Sequence, residues 1–290
     1  DTFVIEDRFG FNKTTRKTFV ADKLKSWLFG IVIGGLLLAA ILWLYLWLGT
    51  SFWWVACIVV VAFSMLMNMF YSEWIVPLFN KQTPLEEGEL RNAIEKFANR
   101  AGFKLNNIYV IDGSKRSTKA NAYFSGLGPK KRIVLYDTLI DDLSTEEIVA
   151  VLAHEIGHYK HKHTWQMMGV SVMNTVLMFF LLSLVLDSSV LAEAMGGSTP
   201  SFPLALVAFG LLYTPLELLT GIGINALSRR NEYQADAFAA SFGLANALIG
   251  GLKKLSVKSL SNLTPDSLYV KVYYYNPTLL QRMAALQKYK

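Results

Sequence analysis

All four histidines of this chain fall within ten residues, at 154, 158, 161 and 163, and two of them frame the run His154-Glu155-Ile156-Gly157-His158. An α-helix turns once in about 3.6 residues, so an i,i+4 pair sets both imidazoles on one face, within reach of a single metal ion and with Glu155 beside them. Catalytic zinc takes three protein ligands and leaves a fourth position to water, whose pKa the ion lowers to about 7. Glu155 is then suited to take the proton of the attacking water and pass it to the amine that leaves a cleaved amide. These residue types at this spacing read as a zinc hydrolase. The competing reading is the solvated face of an ordinary amphipathic helix, in which HExxH arises by chance.

A third ligand must come from elsewhere in the chain. Downstream, Asn231-Glu232-Tyr233-Gln234-Ala235-Asp236-Ala237-Phe238-Ala239 again reads as helix. Glu232 is the candidate ligand there, and Asp236, one turn along, could accept the free ring N–H of a zinc-bound histidine and fix its tautomer. His161 is the rival, because seven residues past His154 returns to nearly the same angle. Those two turns also raise it by about 10 Å, so it could join the ion only if the helix bent. Otherwise His161 and His163 read as surface groups or as supports behind the ligands.

The metal run sits at the end of Thr145 to Ala153, helix formers throughout, opened by a Ser144-x-x-Glu147 capping box. Around it the chain is apolar: 53% of residues are hydrophobic and 17% charged. Residues 26–72 carry no charge and divide at Gly49-Thr50-Ser51 into two membrane spans, with Trp43, Trp47, Trp53 and Trp54 near the break as an interfacial belt. Further spans are predicted from about Trp165 to Leu186 and from about Pro203 to Leu227. The loops between paired spans lack Lys and Arg, whereas Arg8, Lys13, Arg16, Lys17, Lys23 and Lys25 precede the first and Arg229-Arg230 follow the last. That asymmetry predicts a cytosolic N-terminus, middle domain and C-terminus. The net charge of +6 fits cytosolic flanks beside anionic lipid and calls for no nucleic acid.

The expected fold is mainly α, a polytopic helical membrane protein with an inserted metalloprotease domain carrying a small β-sheet. Its parts are a cytosolic segment (1–25), two spans (26–72), a catalytic domain with the metal helix (73–164), two more spans (165–227), and a C-terminal segment with the third ligand (228–290). Within the insertion a helix is predicted from Glu86 to Ala101 and strands over Asn107 to Ile111, Ala120 to Phe124 and Arg132 to Tyr136. Asn121, Ala122 and Tyr123 are candidates for an exposed sheet edge that binds an extended peptide through its backbone; the alternative is an ordinary buried strand.

The chain resembles the type I CAAX prenyl endopeptidases, integral-membrane zinc metalloproteases, over essentially its whole length. The resemblance is carried by Phe3-Val4-Ile5-Glu6, Phe9-Gly10-Phe11-Asn12, Pro77-Leu78-Phe79, Asp112 to Ser117, Asn121-Ala122-Tyr123-Phe124, Arg132 to Leu139, the metal helix with His163-Thr164, Leu227 to Arg230, Glu232, Gln234 to Ala239, and Leu279-Leu280 with Arg282. It implies zinc held by His154, His158 and Glu232, with Glu155 as base, in a helical membrane barrel around a water-filled chamber. The implied substrate is a peptide or protein, above all the prenylated C-terminus of a CAAX protein. The family has seven spans, so Asp1 corresponds to a point after the third. The short passage Asp141-Asp142-Leu143 lacks an insertion of eukaryotic members, which favours a bacterial one. Where the family has His-Pro, this chain has Asn276-Pro277; the family histidine is held to stabilise the oxyanion, a task for which Asn276 offers a neutral donor. Arg282 could bind a substrate carboxylate or form a structural ion pair.

Other features read more simply. Glu217 inside the fourth span fits a chamber lining, Gly30-x-x-x-Gly34 a helix contact, and the single cysteine, Cys57, packing within a span. Two further functions stand against proteolysis: a crippled metalloprotease that guards membrane clients, suggested by Asn276, and a transporter, which gives no reason for His154, Glu155, His158, Glu232 and Asp236 together.

Overall fold

The computed structural model of the chain describes residues 1–103, 108–125 and 132–289, apart from the side chains of 50, 124 and 125. Among the described residues four helices are long and apolar enough to cross a bilayer: Arg16–Leu48, Phe52–Phe79, His163–Val185 and Phe202–Ser241. Gly49, at φ 55°, turns the chain between the first two. Between 6% and 22% of the residues in each apolar stretch are buried, so most of their side chains face outward, as a lipid-covered surface requires. Where the spans do meet, Tyr45, Phe52 and Phe202 form an aromatic triangle with centroids 5.1 to 6.1 Å apart, beside buried Phe179, Leu182 and Phe209.

The insertion between the second and third spans folds as expected in outline. Its first helix is Glu89–Arg100, and its sheet has the order β1 (Gln82–Pro84), β2 (Ile108–Ile111), β4 (Arg132–Tyr136), β3 (Ala122–Ser125). The predicted start of β2 at Asn107 lies outside the described residues. β2 and β4 are parallel, with Ile108 opposite Ile133, and β3 runs antiparallel to β4, with Ala122 opposite Leu135. β1 went unpredicted because three residues ending in proline show no alternation; a proline is tolerated there only because the strand is an edge. Both faces of the central pair are covered. Ile108, Ile133 and Leu135 join the core of the insertion, and Val134 and Ile111 pack on the other face with Val76 at the end of the second span. Alternate residues of a strand point opposite ways, which is why neighbours in sequence end in separate cores.

The metal helix, Thr145–Lys160, starts on the predicted capping box. The Ser144 hydroxyl accepts from Glu147 N–H at 3.3 Å and the Glu147 carboxylate accepts from Ser144 N–H at 2.8 Å. Ile148, Leu152 and Ile156 line one flank and are buried against Ile94, Phe97, Leu139 and Leu248. Lys162, at φ 58°, ends the turn after this helix and starts the third span.

The helix of the predicted fourth span does not stop at Leu227: it runs on unbroken through the stretch 231–239, also predicted helical, as one helix of 40 residues from Phe202 to Ser241. At 1.5 Å per residue that is about 60 Å, twice the hydrocarbon thickness of a bilayer. One continuous rod therefore joins the apolar layer to the catalytic domain.

Candidate metal centre

The long helix and the metal helix are in close contact at Gly157, where a side chain would have no room. A Cβ built on Gly157 would lie 3.0 Å from Ala235 Cα and 3.0 Å from Phe238 Cβ. Glycine between the two histidines thus faces alanine on the partner, and the contact brings Glu232 opposite His154 and His158. The Nε2 atoms of the two histidines lie 3.1 Å apart. Glu232 Oε2 stands 3.4 Å from His154 Nε2 and its Oε1 3.3 Å from His158 Nε2. One ligand atom from each of the three residues falls within 4.8 Å of the others, a group that could hold a metal ion.

The chemistry of the donors fits a divalent cation. Two imidazoles and one carboxylate are the ligand types of open catalytic zinc sites. The surroundings also favour positive charge here: burial opposes a charged His154, yet hydrogen bonds to Asp236 and Glu232 push its pKa up to about 9. Both Nδ1 atoms are engaged elsewhere, leaving the Nε2 pair turned inward. His154 Nδ1 lies 2.9 Å from Asp236 Oδ1. Asp236, almost fully buried, also accepts from Arg282 at 2.9 and 2.6 Å. Unpaired, such a buried carboxylate would cost several kcal/mol, and the two-point guanidinium contact offsets it.

Arg282 rides on the helix Leu279–Leu286, whose start is held by a Thr278–Gln281 capping box. Its guanidinium is bound to Asp236 and lies 3.6 Å from Glu232 Oε2, so its charge is already committed to the carboxylates behind and beside the ligands. The segment before that helix is clamped to the long helix. Asn225 donates to Val272 O at 2.7 Å, and Arg229 donates to the carbonyls of Val270 and Tyr274. This fixes the approach to Asn276, whose exposed side chain lines the same cavity as Glu155.

That cavity, about 550 Å³, is lined by the three candidate ligands with Glu155, Asn121, Ala122, Asn231, Asn276 and Arg282. Burial pushes the Glu155 carboxyl above its ordinary range, with His154 and His158 pulling the other way, which moves a carboxylate toward the basicity of a working general base. β3 is an edge strand packed beside the metal helix. Asn121 and Ala122 face the cavity, but Tyr123 does not: its side chain points to the far face, against Val134 and Tyr136, where burial pushes its phenol up to about 12. Tyr123 therefore offers no side chain to the cavity.

His161, the rival ligand, is exposed and stacks on His163 at 5.4 Å. It is not among the three residues brought together. Sequence reasoning passed over Asn231, which is buried in the cavity wall with no partner for its Nδ2 among the described residues; its one signal was a polar residue next to the ligand Glu232.

Comparison with known proteins gives the family. Residues 84–290 match the family model described as Peptidase family M48, and residues 1–81 match that for the CAAX prenyl protease N-terminal, five membrane helices. The chain belongs to peptidase family M48. It is 40% identical over 300 residues to "CAAX prenyl protease 1" of Saccharomyces cerevisiae, covering 98% of this chain and 66% of that protein. It is 35% identical over 333 residues to "CAAX prenyl protease 1 homolog" of Homo sapiens, covering 100% of this chain and 69% of that one. The crystal structure of S. mikatae Ste24p superposes with a TM-score of 0.91 at 40% identity, over 98% of this chain and 70% of the other. The chain spans about two thirds of the length of the curated relatives it matches. This member of M48 thus sets His154, His158 and Glu232 close together on a polytopic helical membrane fold.

Proposed function

We propose that this chain carries the catalytic centre of a zinc endopeptidase that faces the cytosol and cleaves CAAX-type prenylated proteins or other membrane-associated substrates. The observation that carries the reading is the convergence of His154, His158 and Glu232 on one point, with Glu155 in the same cavity. The names of the relatives supply the substrate class. Bound zinc would lower the pKa of a water ligand to about 7 and polarise a carbonyl. The chain's own residues do the rest. Glu155 accepts a proton from the attacking water and returns it to the departing amine. The outer edge of β3, with Asn121 just before it and Ala122 at its start, holds the substrate extended across the cavity. Asn276 donates to the oxygen that gains negative charge. Asp236 and Arg282 keep His154 turned toward the ion.

One observation favours a second reading. The cavity holds an amide at Asn276 where the resemblance leads one to expect an imidazole, which suits a protein that binds membrane clients while cutting them slowly. A single experiment separates the two. Detergent-purified protein is assayed for bound zinc and for cleavage of a farnesylated peptide and its unprenylated counterpart, with and without chelator. The endopeptidase reading expects one zinc per chain, chelator-sensitive cleavage, and a loss of about 100-fold to 10,000-fold in Glu155→Gln with zinc retained. Full zinc with no cleavage of either peptide would instead support client binding.

A further inference from the structure

His154 is backed by charged groups, whereas the other histidine of the pair is backed by neutral ones. His163, buried at the start of the third span, sets its Nδ1 3.0 Å from His158 Nδ1 and its Nε2 2.8 Å from Gln234 Oε1. A carbonyl oxygen only accepts, so the His163 hydrogen is on Nε2; a neutral imidazole has one hydrogen, so His163 Nδ1 is an acceptor. His158 Nδ1 must then donate across the 3.0 Å contact, which leaves the lone pair on His158 Nε2. That is the atom turned toward His154 and Glu232. Turning the Gln234 amide round would reverse each step and place the hydrogen on His158 Nε2, where it blocks a metal.

We propose that Gln234 and His163 are positioning residues that hold His158 in the one tautomer able to bind a metal. The proposal rests on the zinc reading above. Three local features build the relay. The left-handed residue Lys162 turns the chain so that His163 comes back beside His158. The long helix supplies Gln234 between Glu232 and Asp236, so one rod carries a ligand and a support for each histidine. His161 stacks on His163 at 5.4 Å and 13° between planes, covering the relay from the outside. Because the relay is neutral, it sets the orientation and proton position of His158 without adding charge to the centre.

The test is zinc affinity of the whole chain in detergent, measured by chelator competition, with thermal unfolding as a check on folding. Gln234→Met keeps the volume and removes the acceptor; Gln234→Glu keeps an acceptor. The relay predicts that Gln234→Met binds zinc about 10-fold to 100-fold more weakly, the usual effect of losing a group behind a ligand, while Gln234→Glu stays near the parent. A second pair asks the same of the middle member. His163→Asn, whose amide oxygen can accept from His158 directly, should bind more tightly than His163→Leu, and this pair decides the matter if Gln234→Met does not fold. Zinc held equally by the parent and by Gln234→Met overturns the relay and leaves the metal centre standing. Equal weakening in the Met and Glu variants marks position 234 as packing and overturns it too. A parent that binds no zinc overturns the metal reading, and the relay with it.

Discussion

Along the helix Phe202–Ser241, the first two dozen or so residues turn Val207, Leu211, Leu212 and Leu219 outward, more than half exposed, whereas Asn231, Ala235, Asp236, Ala239 and Ala240 near its end are buried against the catalytic domain. The backbone is the same in both halves; the surroundings differ. The apolar half offers no polar face to water and is stable only where lipid covers it. The buried half carries acids at 232 and 236, and these are tolerated because His154, His158 and Arg282 meet them. Stability in the first half comes from the solvent, and in the second from particular partners. Substitutions should therefore be forgiven in the first and punished in the second.

The largest effect is expected at the ligand. Glu232→Ala should strip zinc, since two imidazoles alone make a weak and open site, whereas His161→Ala should leave it bound. Metal analysis of the two variants checks this, and the opposite pattern would end the assignment of Glu232.

Next comes packing in the catalytic half. Leu152 is 1% exposed in the core of the metal helix. Its truncation to alanine should cost about 2–5 kcal/mol, seen as a lower midpoint in chemical denaturation. A cost below about 1 kcal/mol would mean that this core is loosely packed and that the contrast between the halves is weaker than drawn.

Asn276 tests whether the catalytic half is chemically finished. If this position faces the developing oxyanion, Asn276→His should raise turnover by about tenfold, because one donor is typically worth a hundredfold or more and the amide supplies part of it. Zinc content should not change. Unaltered turnover would mean that the amide already suffices or that the residue stands outside the reaction.

A smaller effect belongs to the start of the metal helix. Burial opposes ionisation of Glu147, but its hydrogen bonds with Lys254 and Ser144 outweigh this and hold its pKa below the ordinary 4.5. A depressed folded-state pKa contributes stability above the ordinary value and loses it as pH falls through the lowered one. Glu147→Gln, which removes the ion pair with Lys254 and keeps the cap, because an amide oxygen also accepts from Ser144 N–H, should therefore cost up to about 1 kcal/mol at neutral pH. The gap to the parent should begin to narrow as pH falls below 4.5 and vanish below the lowered folded-state value, and denaturation followed from pH 7 downward measures it. A gap independent of pH would assign the effect to packing.

The smallest effect lies in the apolar half. Leu211 is 67% exposed, and its replacement by alanine should change stability in detergent by no more than about 0.5 kcal/mol. A loss comparable to that at Leu152 would show that this face is covered by protein, and the comparison would need redrawing.

Much of this molecule was legible in its residues. The i,i+4 spacing of His154 and His158, the Ser144 cap, the charge-free stretches and the alternating strands are local signals, because helix period, hydrogen-bond capping, bilayer thickness and strand pleat each act over a few to some twenty residues. Glu232 and Asp236 were legible as a helical i,i+4 pair, but not their distances to the histidines. What only the tertiary structure decided depends on groups far apart in sequence. Gly157 against Ala235 sets how closely two helices approach, and so where Glu232 stands. The apolar run to residue 227 and the stretch 231–239 each read as helix, but their union in one unbroken rod showed no signal, since the composition changes there while the backbone continues. Tyr123 turned from the cavity because strand alternation leaves one face to each neighbour, and the register that chose the face came from β4. His163 became a support for His158 through one left-handed residue, Lys162. A short local pattern can specify what a side chain is able to bind; which partner it meets is settled by packing between elements that no local pattern encodes.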